Sequence, residues 1–274
     1  MTKLFLIISL LVSLLCIAFT AMPLWLGLLM LPLCFIALLL PLVAMIVIAA
    51  ARADTSKPIE KVSPLSRLCC AAIADLLCTL GMLDTGLSGF DKLPEDGPVL
   101  FVSNHRSAAD PMILYHYLKK RHLAFISKPS NMALPFLGKM AYGAGFLAID
   151  RENDRKALKT ILTAAGYLKN NICSVGIYPE GTRSRDGELL PFHAGSFKIA
   201  QKGNAPVAVI CTYGTEKVFS NLKRLRRSKL QLDMLELIDS SRVQSMSSSE
   251  LADYSRELIR ERIETLDRQR EENA

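Results

Sequence analysis

The sequence predicts an α/β fold: a mixed, largely parallel β-sheet covered by helices on both faces, preceded by an N-terminal transmembrane helical hairpin. Three observations predict it. No charged side chain occurs from Leu4 to Ala51, whereas nearly every Asp, Glu, Lys and Arg lies beyond Arg52, the distribution of a membrane anchor joined to a water-facing domain. Past that point, short apolar runs alternate with longer stretches of helical periodicity. The short runs are apolar throughout, as strands buried on both faces are.

As one continuous helix the charge-free stretch would run roughly 72 Å at about 1.5 Å per residue, more than twice a hydrocarbon core of about 30 Å. It is therefore expected to cross twice. Ala21-Met22-Pro23 is the natural break, because proline interrupts a backbone hydrogen-bond ladder that lipid cannot replace. The expected spans are Leu4 to Ala21 and Leu24 to Ala50, with Pro32 and Pro41 kinking the second or laying it partly in the interface. A cleaved signal peptide is the rival reading, since Lys3 precedes an apolar run, but no small-x-small cleavage site follows and a second long apolar run does. Lys3 on one side and Arg52, Lys57, Lys61 and Arg67 on the other put both ends in the cytoplasm by the positive-inside tendency. The expected location is integral to the cell membrane, with the rest of the chain on the cytoplasmic side. The seven cysteines, mostly within apolar runs and without zinc-ligand or CxxC spacing, read as reduced buried thiols.

After the anchor, Asp54 to Pro64 is a polar, proline-bearing linker, and Leu65 to Leu83 is a helix apolar nearly all round, either buried or interfacial. Gly86 to Gly97 is turn-rich. Val99 to Ser103 reads as a short buried strand, Pro111 to Lys120 as a helix, Leu123 to Ser127 as a strand and Leu134 to Tyr142 as a helix. A strand at Gly145 to Ile149, an amphipathic helix at Asp154 to Asn170 and a strand at Ser174 to Tyr178 follow. A helix at Ser196 to Lys202 then precedes strands at Val207 to Thr212 and Leu230 to Ile238. Ser247 to Asn273 is a terminal packing helix with Ser248 or Ser249 as its N-cap. The expected division is an anchor at 1–52, a linker and interfacial helix at 53–85, and an α/β domain at 86–274.

Three polar motifs stand at the carboxyl ends of three expected strands, where such sheets bind ligands. In Asn104-His105-Arg106-Ser107-Ala108-Ala109-Asp110, a carboxylate five positions after a histidine can turn back to one imidazole nitrogen. That fixes the tautomer and leaves the other nitrogen as a general base. The bland reading, a satisfied core or surface histidine, is kept for His116, His122 and His193. In Tyr178-Pro179-Glu180-Gly181-Thr182-Arg183-Ser184-Arg185, glycine permits close approach of backbone to ligand, threonine offers a hydroxyl and arginine offers a fork for phosphate oxygens. Ile149-Asp150-Arg151 would, alone, be a surface salt bridge. Together the three point to one anion-binding crevice beside a base.

A formal charge of +7 and a pI near 9.0 suit nucleic acid or anionic lipid. With an anchor attached, the lipid bilayer is the expected partner and nucleic acid is not. Lys223, Arg224, Arg226, Arg227 and Lys229 read equally as a solvated turn or as a patch against anionic headgroups. No convincing metal-ligand set stands in the sequence. The residues alone leave three readings open: a general base beside an anion site, metal-dependent phosphoester cleavage at His105 and Asp110, and non-catalytic reading of anionic lipid through Arg151, Arg183 and the Lys223 to Lys229 cluster.

Asn104 to Asp110 resembles the NHxxxxD motif of the glycerolipid acyltransferase superfamily, in particular the 1-acylglycerol-3-phosphate acyltransferases. Gly145 to Arg151, Tyr178 to Arg183 and Ala205 to Ile210 resemble the second, third and fourth motifs, in order and at fitting spacing. The resemblance implies that 86–274 is an acyltransferase domain moving a fatty acyl group to the free hydroxyl of 1-acylglycerol-3-phosphate, giving phosphatidic acid. Acyl-CoA or acyl-ACP is then the co-substrate, with no cofactor and no metal; glycerol 3-phosphate or another lysolipid or aminolipid is the alternative acceptor. His105 is implied as base and Asp110 as its orienter, with Asn104, Lys128, Arg151, Glu180, Gly181, Thr182 and Arg183 as substrate-binding residues. Two departures stand out. Ser130-Asn131 follows the lysine where the family often has an acidic residue and leucine, and Phe192-His193-Ala194-Gly195 replaces Phe-Lys-x-Gly, so one cationic contact to the acceptor headgroup is expected to be missing.

Overall fold

The computed structural model describes Ile7, Leu11, residues 24–184 and residues 187–272. The first expected span, Leu4 to Ala21, lies outside the described residues except for Ile7 and Leu11, so one helix of the expected hairpin is described. Arg185 and Asn273 also lie outside them. The helix that is described, α1, runs over Leu24–Arg52 and continues through both Pro32 and Pro41. Among the described residues it holds a stretch, Pro32–Arg52, long and apolar enough to cross a membrane.

Helix α2, Pro64–Leu80, starts where Ser63 accepts a hydrogen bond from Ser66 N at 3.3 Å and proline fills the first turn, two signals that define a helix start. The sequence left this helix buried or interfacial; Cys69, Cys70, Ala74 and Cys78 sit in the same core as the sheet. Ala49 and Ala50 at the end of α1 are buried in that core too, so the apolar helix is docked to the domain at its C-terminal end.

Seven strands make the sheet: β1 (Leu83–Ser88), β2 (Leu100–Ser103), β3 (Leu123–Ser127), β4 (Leu147–Ala148), β5 (Ser174–Ile177), β6 (Val207–Tyr213) and β7 (Ser228–Ile238), in the order β1-β7-β6-β2-β5-β3-β4. From β6 through β4 neighbouring strands are parallel; β7 is antiparallel to β6, and β1 is parallel to β7. The sheet is therefore mixed. Consecutive residues of β2, β5 and β6 are buried, which requires cover on both faces. That cover comes from α2 and from α3 (Asp110–Leu118), α4 (Pro129–Met132), α5 (Leu137–Gly143), α6 (Asp154–Lys169), α7 (Lys198–Gly203), α8 (Val218–Lys223), α9 (Ser240–Ser245) and α10 (Ser248–Glu272).

The structure differs from the expected elements in three places. The turn-rich segment carries β1, an edge strand whose residues are mostly exposed. The strand expected at Gly145 to Ile149 is two residues long, because Gly145 takes φ +98. Helices α4, α8 and α9, of four, six and six residues, are too short to leave a periodic signature.

Candidate active site

β2 is the strand between β5 and β6, and its last residue leads into the first polar motif. Asn104 is 1 % exposed; its Nδ2 donates to Thr212 O at 2.8 Å and its Oδ1 accepts from Thr212 N at 2.8 Å. Its side chain thus extends the β2–β6 ladder by one step in place of backbone. The next residue, His105, is held at the strand end and turned outward, its side chain 17 % exposed.

Asp110 opens α3 and is wholly buried. Its Oδ2 lies 2.8 Å from His105 Nδ1 and accepts from Arg106 N at 2.8 Å and Ser107 N at 2.7 Å. A carboxylate with two backbone donors already in place can only add a third, so it draws the imidazole proton to Nδ1 and leaves Nε2 as an acceptor. The ring is fixed from its face as well: it stacks on Tyr178 at 4.2 Å and 20°, and Tyr178 stacks in turn on Phe125 at 5.9 Å and 5°. Gly176 is what makes that stack possible, since a Cβ there would lie 2.4 Å from the Phe125 ring. Burial raises the Tyr178 phenol well above its ordinary value, so it is a neutral platform.

Glu180 is 4 % exposed and faces inward. Its Oε1 accepts from His105 N at 2.6 Å and its Oε2 from Leu190 N at 3.1 Å. Burial pushes its carboxyl pKa up, against the pull of those two amides. Ser184 N donating to His105 O at 3.0 Å completes a clamp between the first and third motifs. Asn104 and Glu180 were expected to touch substrate; their polar atoms are engaged by the backbone, and both shape the site from beneath.

A cavity of about 890 Å³ opens beside His105, a volume in the range of small-molecule sites. Its lining divides by element. The loops after the strands contribute Lys128, Arg151, Gly181, Thr182, Arg183 and His193, whereas α2, α3, α5 and α6 contribute apolar side chains such as Ile73, Met112, Met140 and Ile161. Lys128, Thr182 and Arg183 also line a smaller cavity of about 380 Å³ with Arg106. Gly181 takes φ +74, and a Cβ there would lie 3.1 Å from the His193 ring and 3.5 Å from Arg151 Cζ, so this glycine lets the His193 ring and the Arg151 guanidinium converge. Arg151 stays accessible to solvent, yet desolvation by the protein around its guanidinium lowers its pKa.

Sequence reasoning missed His193, which was given the bland reading although it occupies the family's lysine position; that departure was the available signal. It also gave Tyr178 no role. His116 fits its bland reading, with Nδ1 2.6 Å from Asp75 Oδ1. Among the described residues no group of three or more His, Cys, Asp or Glu side chains is arranged to hold a metal ion.

Residues 86–213 match the family model described as Acyltransferase. The chain is 32 % identical over 173 residues to the 1-acyl-sn-glycerol-3-phosphate acyltransferase of Salmonella typhimurium, covering 63 % of this chain and 70 % of that one. This chain belongs to the 1-acyl-sn-glycerol-3-phosphate acyltransferase family. The Haemophilus influenzae member is 30 % identical over 187 residues, covering 66 % of this chain and 77 % of its own. The crystal structure of PlsC from Thermotoga maritima, a 1-acyl-sn-glycerophosphate (LPA) acyltransferase, superposes with a TM-score of 0.55 at 23 % identity, over 73 % of this chain and 82 % of that one. That likeness establishes a shared fold. Within this acyltransferase family the four motifs read from the sequence all fall inside the matched residues.

Proposed function

We propose that the chain transfers a fatty acyl group from a thioester donor, acyl-CoA or acyl-ACP, to the free hydroxyl of 1-acylglycerol-3-phosphate, giving phosphatidic acid. The observation that carries this reading is the His105–Asp110 pair beside a cavity with a cationic loop lining and an apolar helix lining. A lysolipid has both features, an anionic head and a long chain. In this reading Lys128, Arg151, Thr182 and Arg183 take the phosphate, and the apolar lining from α2, α5 and α6 takes a chain. Nε2 of His105 removes the acceptor hydroxyl proton as the oxygen attacks the thioester carbonyl. The C–S bond then breaks, and the proton on His105 passes to the leaving thiolate. Asp110, bonded to Nδ1, steadies the imidazolium between the two proton transfers.

We propose further that 1–52 anchors the protein in the cell membrane with the catalytic domain, 86–274, on the cytoplasmic side; 53–85 joins them in sequence, although α2 packs into the catalytic core. Donor and acceptor would then meet at the bilayer surface with no cofactor. The test is thiol release by purified protein in vesicles, given one acyl donor and a panel of acceptors. Acylation of lysophosphatidic acid well above glycerol 3-phosphate and other lysolipids is expected; preference for another acceptor would move the assignment, and activity abolished by chelation would end it.

A further inference from the structure

The segment between α4 and α5 and one face of α6 expose apolar side chains at the cavity rim and beyond it. Leu134, Phe136, Leu137, Leu158 and Leu162 are each between 40 % and 56 % exposed. The segment is not slack: Leu137 N donates to Pro135 O at 2.6 Å, Gly138 N to Leu134 O at 2.9 Å and Met140 N to Phe136 O at 2.9 Å. Phe136 itself takes φ +59, ψ −50, a conformation that a bulky residue adopts only where its surroundings impose it. A folded turn that holds a phenylalanine outward in this way presents it to something other than water.

Three further observations say what that is. Leu134, Leu137 and Leu158 line the cavity beside His105, so these side chains stand at its rim. Helix α5, which begins at Leu137, packs against α1, with Ala53 beside Gly143, and α1 holds the apolar stretch long enough to cross a membrane. The apolar residues are interleaved with exposed cations: Arg155 and Lys159 lie on the same face of α6 as Leu158 and Leu162, and Lys139 lies on α5. Apolar side chains bordered by lysine and arginine match the boundary between acyl chains and anionic headgroups.

We propose that residues 134–137 and the Leu158–Leu162 face of α6 form a second bilayer contact, within the catalytic domain itself, that seats the cavity rim on an anionic membrane surface. A lipid can then enter the cavity without crossing water. The inference rests on the lipid-acceptor reading above, and its test separates the two.

Neither Phe136 nor Leu162 lines the cavity, so both can be changed without touching the site. In full-length protein with Trp25→Phe, Phe136→Trp places the sole indole at the tip. In nanodiscs carrying lipids brominated on the acyl chains, its fluorescence should be quenched at least about twofold, and more strongly with anionic than with zwitterionic lipid. Phe136→Asp and Leu162→Asp should each raise KM for a vesicle-borne lysolipid at least about fivefold while leaving kcat on a short-chain, water-soluble acceptor unchanged. An unquenched indole in protein that acylates lysolipid normally overturns the bilayer contact and leaves the acyltransferase reading intact. Shielding that appears only on adding an acyl carrier protein, or only at high protein concentration without lipid, overturns it in favour of a protein partner or a second copy.

Discussion

Among the described residues two histidine–carboxylate pairs occur, 2.8 Å long at His105–Asp110 and 2.6 Å at His116–Asp75. By distance they are equivalents. By surroundings they are opposites. Asp110 is fully buried, receives two backbone N–H groups and serves no side chain but His105 among the described residues, whereas Asp75 is shared with Lys119 Nζ at 3.0 Å. The His105 ring lies flat on Tyr178 and borders a cavity; the His116 ring meets Tyr117 edge-on at 88° and ties α3 to α2. A base therefore requires more than a hydrogen-bonded carboxylate. It requires a carboxylate prepaid with fixed donors, a ring with no freedom to turn, and a place for a reactant at the second nitrogen.

The comparison can be broken by exchanging the consequences of each pair. His105→Ala should lower turnover by about 10² to 10⁴ with thermal unfolding little changed, as loss of a general base does; a variant that keeps near-normal turnover would put the two pairs back on equal terms. Glu180→Gln should cost between about 10 and 100-fold in kcat by loosening the amide of His105, with an effect on stability that depends on pH. Burial raises the folded pKa of Glu180, so its contribution to stability is complete below the ordinary carboxylate range and is lost as pH rises through the raised value. The Gln amide can accept from only one of the two backbone N–H groups that Glu180 binds, so the variant should melt lower than the wild type in acid and the gap should narrow as pH rises to about 8; a gap that widens with pH would contradict this account.

Asp75→Asn sharpens the contrast from the other side. Burial raises the pKa of Asp75, but Lys119 and His116 outweigh that and hold it below the ordinary value. Its stabilisation is present at neutral pH and is lost as pH falls through that lowered value. The variant should unfold about 1 kcal/mol more easily at pH 7, a difference that disappears in acid, with turnover within about twofold of wild type. Calorimetry across pH, beside a turnover assay, checks both halves.

How much of this was legible in the sequence follows the same divide between local and distant partners. β3 begins and ends where an apolar run does, at Leu123 and Ser127, and α6 begins at Asp154 after an Asn153 cap. The His105–Asp110 bond is equally local, five positions apart. The role of Glu180 is not: its partner amide lies 75 positions away, and nothing in the third motif distinguishes a carboxylate facing substrate from one facing backbone. β1 escaped notice because Leu83–Ser88 is an edge strand with little to bury, so it lacks the unbroken apolar run that marked the central strands. His193 was visible as a departure from the family's lysine, but its approach to Gly181 depends on a positive φ that only the fold supplies.

The central claim is that Asp110 acts through the His105 ring. The most direct measurement is a double-variant cycle on turnover with His105→Ala, Asp110→Asn and the two combined. Two groups working as one unit lose their effect together, so the combined variant should lose about as much as His105→Ala alone. Losses that multiply, with Asp110→Asn costing as much in the absence of the imidazole as in its presence, would contradict the account.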